Sequence, residues 1–171
     1  GILISNGHDS FNDCESYLAG KLTQDPFTHI GELASGSLGL IHTDVCGPFK
    51  TMTRNHERYF VTFIDDYSRY AYVYLMKHKH ETFDKFKDFQ NEVENQLSRT
   101  IKILRSDQGG EYLSQEFITH LNECGIISQL TPLGTPQWNG VSEKRNRTLL
   151  DMVQSMMSRT DLPISFWSYA L

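Results

Sequence analysis

Apolar and polar positions fall into a readable rhythm from Leu40 onward. "LGLIHTDVC", residues 38–46, reads as a strand. "RYFVTFIDD", 58–66, is rich in aromatic and β-branched residues and reads as a second. "DDYSRY" is a turn, and "YAYVYLMK", 70–77, alternates as a third strand; the two form an antiparallel hairpin beside the first. The period then changes. Phe83, Phe86, Val93 and Leu97 fall close to helical spacing, with Phe89 near the same stripe and charges on the other face, which predicts a helix over about 80–97. "TIKILRSD" is a fourth strand. "SQEFITHLNECG" is a helix with Ser114 as N-cap and Gly125 as its stop signal. "IISQL" is a fifth strand, and "TPLGTPQWNG" a loop set by Pro and Gly. Leu149, Met152, Val153 and Met156 stand at i, i+3, i+4 and i+7 of a last long helix, from near Asn139 to before Asp161. A further helix is expected from about Pro163. The order β-β-β-α-β-α-β-α predicts an α/β mixed sheet with helices on its faces.

Residues 1–38 show no sustained period and read as a linker. No internal repeat or low-complexity tract is visible. The 171 residues, 39% hydrophobic and 22% charged, suit one domain with one core. No apolar run approaches the roughly 20 residues of a membrane span, so no membrane partner is expected. The start "GILISNGHDSF" has no basic segment followed by an apolar core, so secretion is not expected. Cys14, Cys46 and Cys124 are odd in number and widely spaced, which argues for a reducing compartment rather than a disulfide framework. A formal charge of −5 argues against gripping nucleic acid by charge alone.

The chemistry begins with an anomaly. Asp44 interrupts an apolar strand, where a carboxylate is costly unless paired. Asp107 ends the fourth strand just before Gly109-Gly110, and Glu143 opens the long helix. In a mixed sheet, distant acids on neighbouring strands can meet. Clustered carboxylates repel and their pKa values rise until a cation neutralises them. Hard oxygen ligands suit Mg²⁺, and two such ions can serve phosphodiester chemistry. Against this, 21 acids in the chain make some trio expected by chance, and both readings stand at this point. Asp65-Asp66 is read as turn chemistry, and "KHKH" (77–80) as a solvated junction without the partners of a metal site. Trp138 either stacks on a base or covers the core, and Glu111 is read as structural or supporting.

The segments "HTDVCGP", "FIDDYSRY", "LRSDQGGEY" and "TPQWNGVSEKRNRTLLDMVQSMM" closely resemble the integrase catalytic core of copia-type long-terminal-repeat retrotransposons, over roughly residues 36–171. Asp107 and Glu143 have 35 residues between them, the spacing of the D,D-35-E retroviral integrase superfamily. The resemblance implies an RNase H-like fold with a five-stranded mixed sheet flanked by α-helices. It implies that Asp44, Asp107 and Glu143 are catalytic and hold two Mg²⁺ or Mn²⁺ ions for DNA 3′-end processing and strand transfer. It implies DNA partners (retrotransposon ends and target DNA), a homo-oligomer, work in the nucleus, and a place within a longer Pol polyprotein. DNA contacts are expected from Lys144, Arg145, Arg147 and Asn139, with Arg147 on the same side as Glu143 at i+4. Residues 1–38 match the end of the family's zinc-binding module, but Tyr17 stands where its second cysteine belongs. Tyrosine does not replace a thiolate in a structural zinc site, so Zn²⁺ is not expected and the segment reads as a remnant. Residues 39–171 read as the catalytic core, cut short at its C-terminus. The alternatives are a catalytically inert, nucleic-acid-binding remnant and an RNase H-like nuclease.

Overall fold

β1 (Ile41–Cys46) is the strand on which the rest is arranged. In the computed structural model, which describes residues 34–131 and 139–171, it lies at the centre of a five-stranded sheet. β2 (Tyr59–Asp65) runs antiparallel to it, with Asp44 opposite Thr62, and β3 (Ala71–Met76) is antiparallel to β2. β4 (Ile103–Ser106) and β5 (Ile127–Leu130) are parallel to β1, giving the order β3-β2-β1-β4-β5. A 3₁₀ turn, Lys79–Glu81, precedes α1 (Thr82–Leu97). The helix therefore starts at Thr82 rather than 80. His78 stands before it with its N–H donated to Glu81 Oε1 at 3.0 Å, so the His-rich junction is a helix start. α2 is Gln115–Glu123, and Ser114 Oγ accepts the Phe117 N–H as the sequence predicts. α3 is Gly140–Met157, and a 3₁₀ helix covers Ile164–Tyr169 where an α-helix is expected.

Side chains alternate across a sheet, so β1 feeds two cores. On one face Ile41, Val61, Phe63 and Leu104 pack with Phe86 and Phe89 of α1 and Phe117 of α2. Phe63 stacks on Phe89 at 4.7 Å between centroids. On the other, Phe60 meets Leu149 and Val153 of α3 and Trp167. Each such side chain contributes about 1.5–3 kcal/mol by leaving water. α3 packs over β1 and β2. Edge strand β5 keeps Ile127 62% exposed. No helix among the described residues is long and apolar enough to cross a membrane.

Two sequence expectations change here. The chain divides into two units, 1–32 and 33–171, and residues 34–38 belong with the core rather than with a linker. Leu38 is 2% exposed, its N–H donates to Asp65, and the Ala34 N–H donates to Asp66. The buried stripe of α3 is Ser142, Asn146, Leu149 and Val153, while Met152 and Met156 face outward. Shifting the stripe places two polar residues inside, and one of them, Asn146, bonds Asp44. The zinc-module remnant, with Cys14 and Tyr17, lies outside the described residues, as does Trp138.

Candidate active site

Asp44 sits on the α3 side of the sheet, because its cross-strand neighbour Thr62 donates its hydroxyl to Asn146 of α3 at 2.9 Å. Asn146, 4% exposed, passes the bond on: its Nδ2 donates to Asp44 Oδ2 at 2.9 Å. The Thr62 hydroxyl thus orients the amide, and the amide fixes one carboxylate oxygen. The parallel register sets Ile41 beside Leu104 and His42 beside Arg105. Carried forward, it sets Asp44 beside Asp107, one residue beyond β4.

The turn after Asp107 is held from several directions. Asp107 Oδ1 accepts the Gly109 N–H at 3.0 Å. A Cβ on Gly109 would stand 2.8 Å from Glu111 Cδ and 3.0 Å from Asp107 Oδ1, so the two carboxylates close in on Gly109 and a larger residue would displace them. Glu111 is tied outward by Lys79, at 3.4 Å. Tyr112, buried, shares a 3.0 Å hydrogen bond with Thr43 Oγ1 and so pins the turn to β1. Burial, then the charges of Asp44, Asp107 and Glu111, push the Tyr112 phenol well above its ordinary pKa, although the Thr43 bond lowers it. It stays protonated at any physiological pH.

α3 brings the third acid. Asn139, 2% exposed, extends its Nδ2 to the Thr43 carbonyl at 3.5 Å and receives the Ser142 hydroxyl at 2.6 Å. It anchors the start of α3 to β1. Its amide is engaged inside the protein. Glu143, four residues on, lies exposed in the first turn. Lys144, Arg145 and Arg147 are exposed on the same helix, and the residue that turns inward toward Asp44 is Asn146 rather than Arg147.

The electrostatics tie the three acids together. Burial pushes the Asp44 carboxyl up; the charges of Asp107 and then Glu143 raise it further, and the Asn146 bond offsets part, leaving it at about 6. Cys46 is pushed up to about 11 by burial and by Asp44, so the free thiol is protonated at neutral pH. Among the described residues, no three His, Cys, Asp or Glu side chains stand close enough together to hold a metal ion as placed. The donor set still suits a hard divalent cation. All three groups are carboxylates, and Asp44 carries repulsion that a cation would relieve.

Asp65 and Asp66 are a different matter. Asp65 Oδ1 accepts the Leu38 N–H, and its Oδ2 accepts the Ser68 N–H and hydroxyl at 2.9 and 2.6 Å. Asp66 accepts from Ala34, His42 and Arg69. They build the hairpin turn. Neither the hairpin's saturation nor the roles of Asn146 and Tyr112 follows from local sequence. The one available signal is the polar start of the α3 stripe, Ser142 and Asn146 in step with Leu149.

Comparison with known proteins adds the family. The Integrase core domain model matches residues 34–136, taking in Asp44 and Asp107 and stopping before Glu143. The "Retrovirus-related Pol polyprotein from transposon TNT 1-94" of Nicotiana tabacum is 43% identical over 158 residues, 92% of this chain and 12% of the relative. The "Retrovirus-related Pol polyprotein from transposon RE2" of Arabidopsis thaliana is 31% identical over 167 residues, 98% of this chain and 11% of the relative. The chain thus spans about a tenth of the length of these curated relatives. A solved structure, "CryoEM structure of simian T-cell lymphotropic virus intasome in complex with PP2A regulatory subunit B56 gamma", aligns with TM-score 0.60 at 20% identity. It covers 77% of this chain and 46% of its counterpart, and supports the five-stranded, RNase H-like fold.

Proposed function

Because the chain belongs to the integrase core family, found here in retrotransposon Pol polyproteins, we propose that it is the catalytic core of a copia-type integrase that cuts and joins DNA 3′ ends. One observation carries the reading: the parallel register of β1 and β4 sets Asp44 beside Asp107, where burial and the charges of Asp107 and Glu143 raise its carboxyl. Structural acids are compensated by the protein; Asp44 carries the repulsion of two further acids.

The residues divide the work. Asp44 offers one carboxylate oxygen while Asn146 holds the other. Asp107 is kept at the rim of the sheet by the Gly109 N–H and by the turn that Tyr112 pins. Glu143 stands at the start of α3, whose position Asn139 fixes. Asp44, Asp107 and Glu143 would hold Mg²⁺ or Mn²⁺. When bound, two such ions lower the pKa of an attacking water or 3′-hydroxyl and stabilise the leaving oxygen. Arg147, Lys144 and Arg145 would meet DNA phosphates from the exposed side of α3. As the related structure is an intasome, a multimer of this core on DNA is the expected working form.

The test is reversal of strand transfer on a branched DNA substrate with Mn²⁺. Activity that disappears in Asp107→Asn supports the reading. A folded, inactive wild-type protein that still binds DNA favours the second reading, an inert nucleic-acid-binding remnant. That second reading draws on the absence, among the described residues, of a three-acid group at single-ion distance.

A further inference from the structure

The segment between β1 and β2, "GPFKTMTRNHER", plays no part in the site described above. It is nonetheless a built feature. The Thr53 N–H donates to the Glu57 carbonyl, and the Asn55 and Glu57 N–H groups donate to Thr53 Oγ1. The Thr53 hydroxyl bonds the Glu57 carboxylate, so the segment's one acid is turned inward. Both ends are anchored. Phe49 packs on Trp167 at 4.7 Å between centroids, the Trp167 indole N–H donates to the Thr51 carbonyl, and the Phe49 N–H donates to the Arg58 carbonyl.

What this loop presents is cationic. Lys50, Arg54 and Arg58 are exposed. Ion pairs among the described residues engage Arg69, Lys79, Lys85 and Lys87, and none engages these three. The Arg54 guanidinium lies 5.2 Å over the Phe166 ring, and Arg58 uses only its Nε, on the Phe49 carbonyl. The position matters as much as the charge. Gly47 follows Asp44 by three residues, about 10 Å along an extended strand. Because β4 is parallel to β1, Asp107 lies at that same end of the sheet. In a chain of net charge −5, three cations outside any ion pair among the described residues, on a braced loop that starts three residues beyond Asp44, suit an anionic partner, and duplex DNA carries one charge per roughly 1.7 Å of axis.

We infer that the β1–β2 loop is a phosphate clamp, which grips the DNA backbone flanking the reacting phosphodiester through Lys50, Arg54 and Arg58. The inference rests on the integrase reading above. Contacts of this type position a duplex without reading its sequence. The clamp also answers how an acidic core can hold DNA: three of its cations are gathered on one braced loop.

The test measures binding of the full 171-residue chain to a fluorescein-labelled duplex by anisotropy, from roughly 50 to 200 mM KCl. The variant is Lys50→Gln/Arg58→Gln, which leaves the Arg54–Phe166 contact in place. The slope of log K against log salt should become shallower by about 1.8, at about 0.9 per phosphate contact. The KM for branched DNA should rise with kcat kept. Lys50→Arg/Arg58→Lys should retain the wild-type slope, which separates charge from misfolding. Arg99→Gln/Lys102→Gln removes two charges beyond the opposite end of β4 and should leave the slope alone. An unchanged slope in Lys50→Gln/Arg58→Gln, or an equal loss in Arg99→Gln/Lys102→Gln, overturns the clamp while leaving the integrase reading standing. A wild-type protein without salt-sensitive DNA binding overturns both.

Discussion

The chain keeps two groups of acids, and it treats them in opposite ways. At the β2–β3 hairpin, Asp65 and Asp66 are 7% and 5% exposed, yet every carboxylate oxygen is answered: by Leu38 and Ser68 for the first, by Ala34, His42 and Arg69 for the second. Burial pushes the Asp66 carboxyl up, but the Ala34 N–H, the His42 bond and Arg69 outweigh it and hold it below its ordinary range. Burial also keeps His42 neutral, its Nε2 on Asp66. At the other site Asp44, less buried, receives Asn146 and its own strand's Val45 N–H and remains raised, because Asp107 and Glu143 add repulsion. Burial alone therefore does not identify a functional carboxylate. The diagnostic feature is a charge that the protein leaves uncompensated.

Predictions that probe this contrast run from large effects to small. Asp107→Asn should cost on the order of a thousand-fold in strand-transfer reversal with Mn²⁺, since metal catalysis supplies several kcal/mol and each 1.36 kcal/mol is tenfold. Its melting temperature should hold or rise. Asp66→Ala should do the reverse: stability falls by about 3 kcal/mol in urea unfolding, because a buried network loses its acceptor. If Asp66→Ala unfolds no more readily than wild type, the contrast fails at the hairpin. Asp44→Asn should raise metal-free stability at neutral pH by about 3 kcal/mol, as it removes a proton equilibrium shifted from about 4 to about 6. Mn²⁺ should then raise the melting temperature of wild type but not of Asp44→Asn.

The same shift sets a pH signature. The folded state holds the Asp44 proton more tightly than the unfolded chain, so this group's contribution to stability declines as pH rises from about 4 to about 6. Asp66 acts with the opposite sign, stabilising above its unfolded pKa and losing that contribution as pH falls through its lowered folded value. Subtracting Asp44→Asn from wild type across this window should isolate the first trend, and a flat difference would remove the basis for the raised carboxyl. Smallest of all, Asn146→Ala should cost about 1 kcal/mol of stability. It should also shift the acid limb of the activity profile upward, since Asn146 is the larger of the two bonds that lower Asp44.

Much of the fold is legible along the chain because its signals are local. Period-two apolar runs mark β1 to β4, the Phe83–Phe86–Val93 spacing marks α1, and Ser114 marks the start of α2. Asp44 is legible as a misfit in its strand, and the 35-residue gap links Asp107 to Glu143. What escapes is whatever depends on partners far away in sequence. Asn146 matters because it lies between Thr62 and Asp44, and Tyr112 because it meets Thr43. Asn139 is read from the sequence as a DNA contact, and nothing local announces that its amide reaches the Thr43 carbonyl. Residues 34–38 look like linker since nothing in them announces that two hairpin acids will bind their N–H groups. The β1–β2 loop shows no periodicity, and its cations become notable only once β1 and β4 are seen to end together.

That parallel pairing has a consequence for how the protein comes into being. β1 meets β4 only after some sixty intervening residues have been laid down, and Asn146 reaches Asp44 across a separation of 102. Contacts so distant along the chain form late and slowly, after local helices and the hairpin. A nascent or half-assembled chain accordingly carries Asp44 without its companions. The surroundings of Asp44 are thereby completed only when α3 docks and Asn146 reaches it.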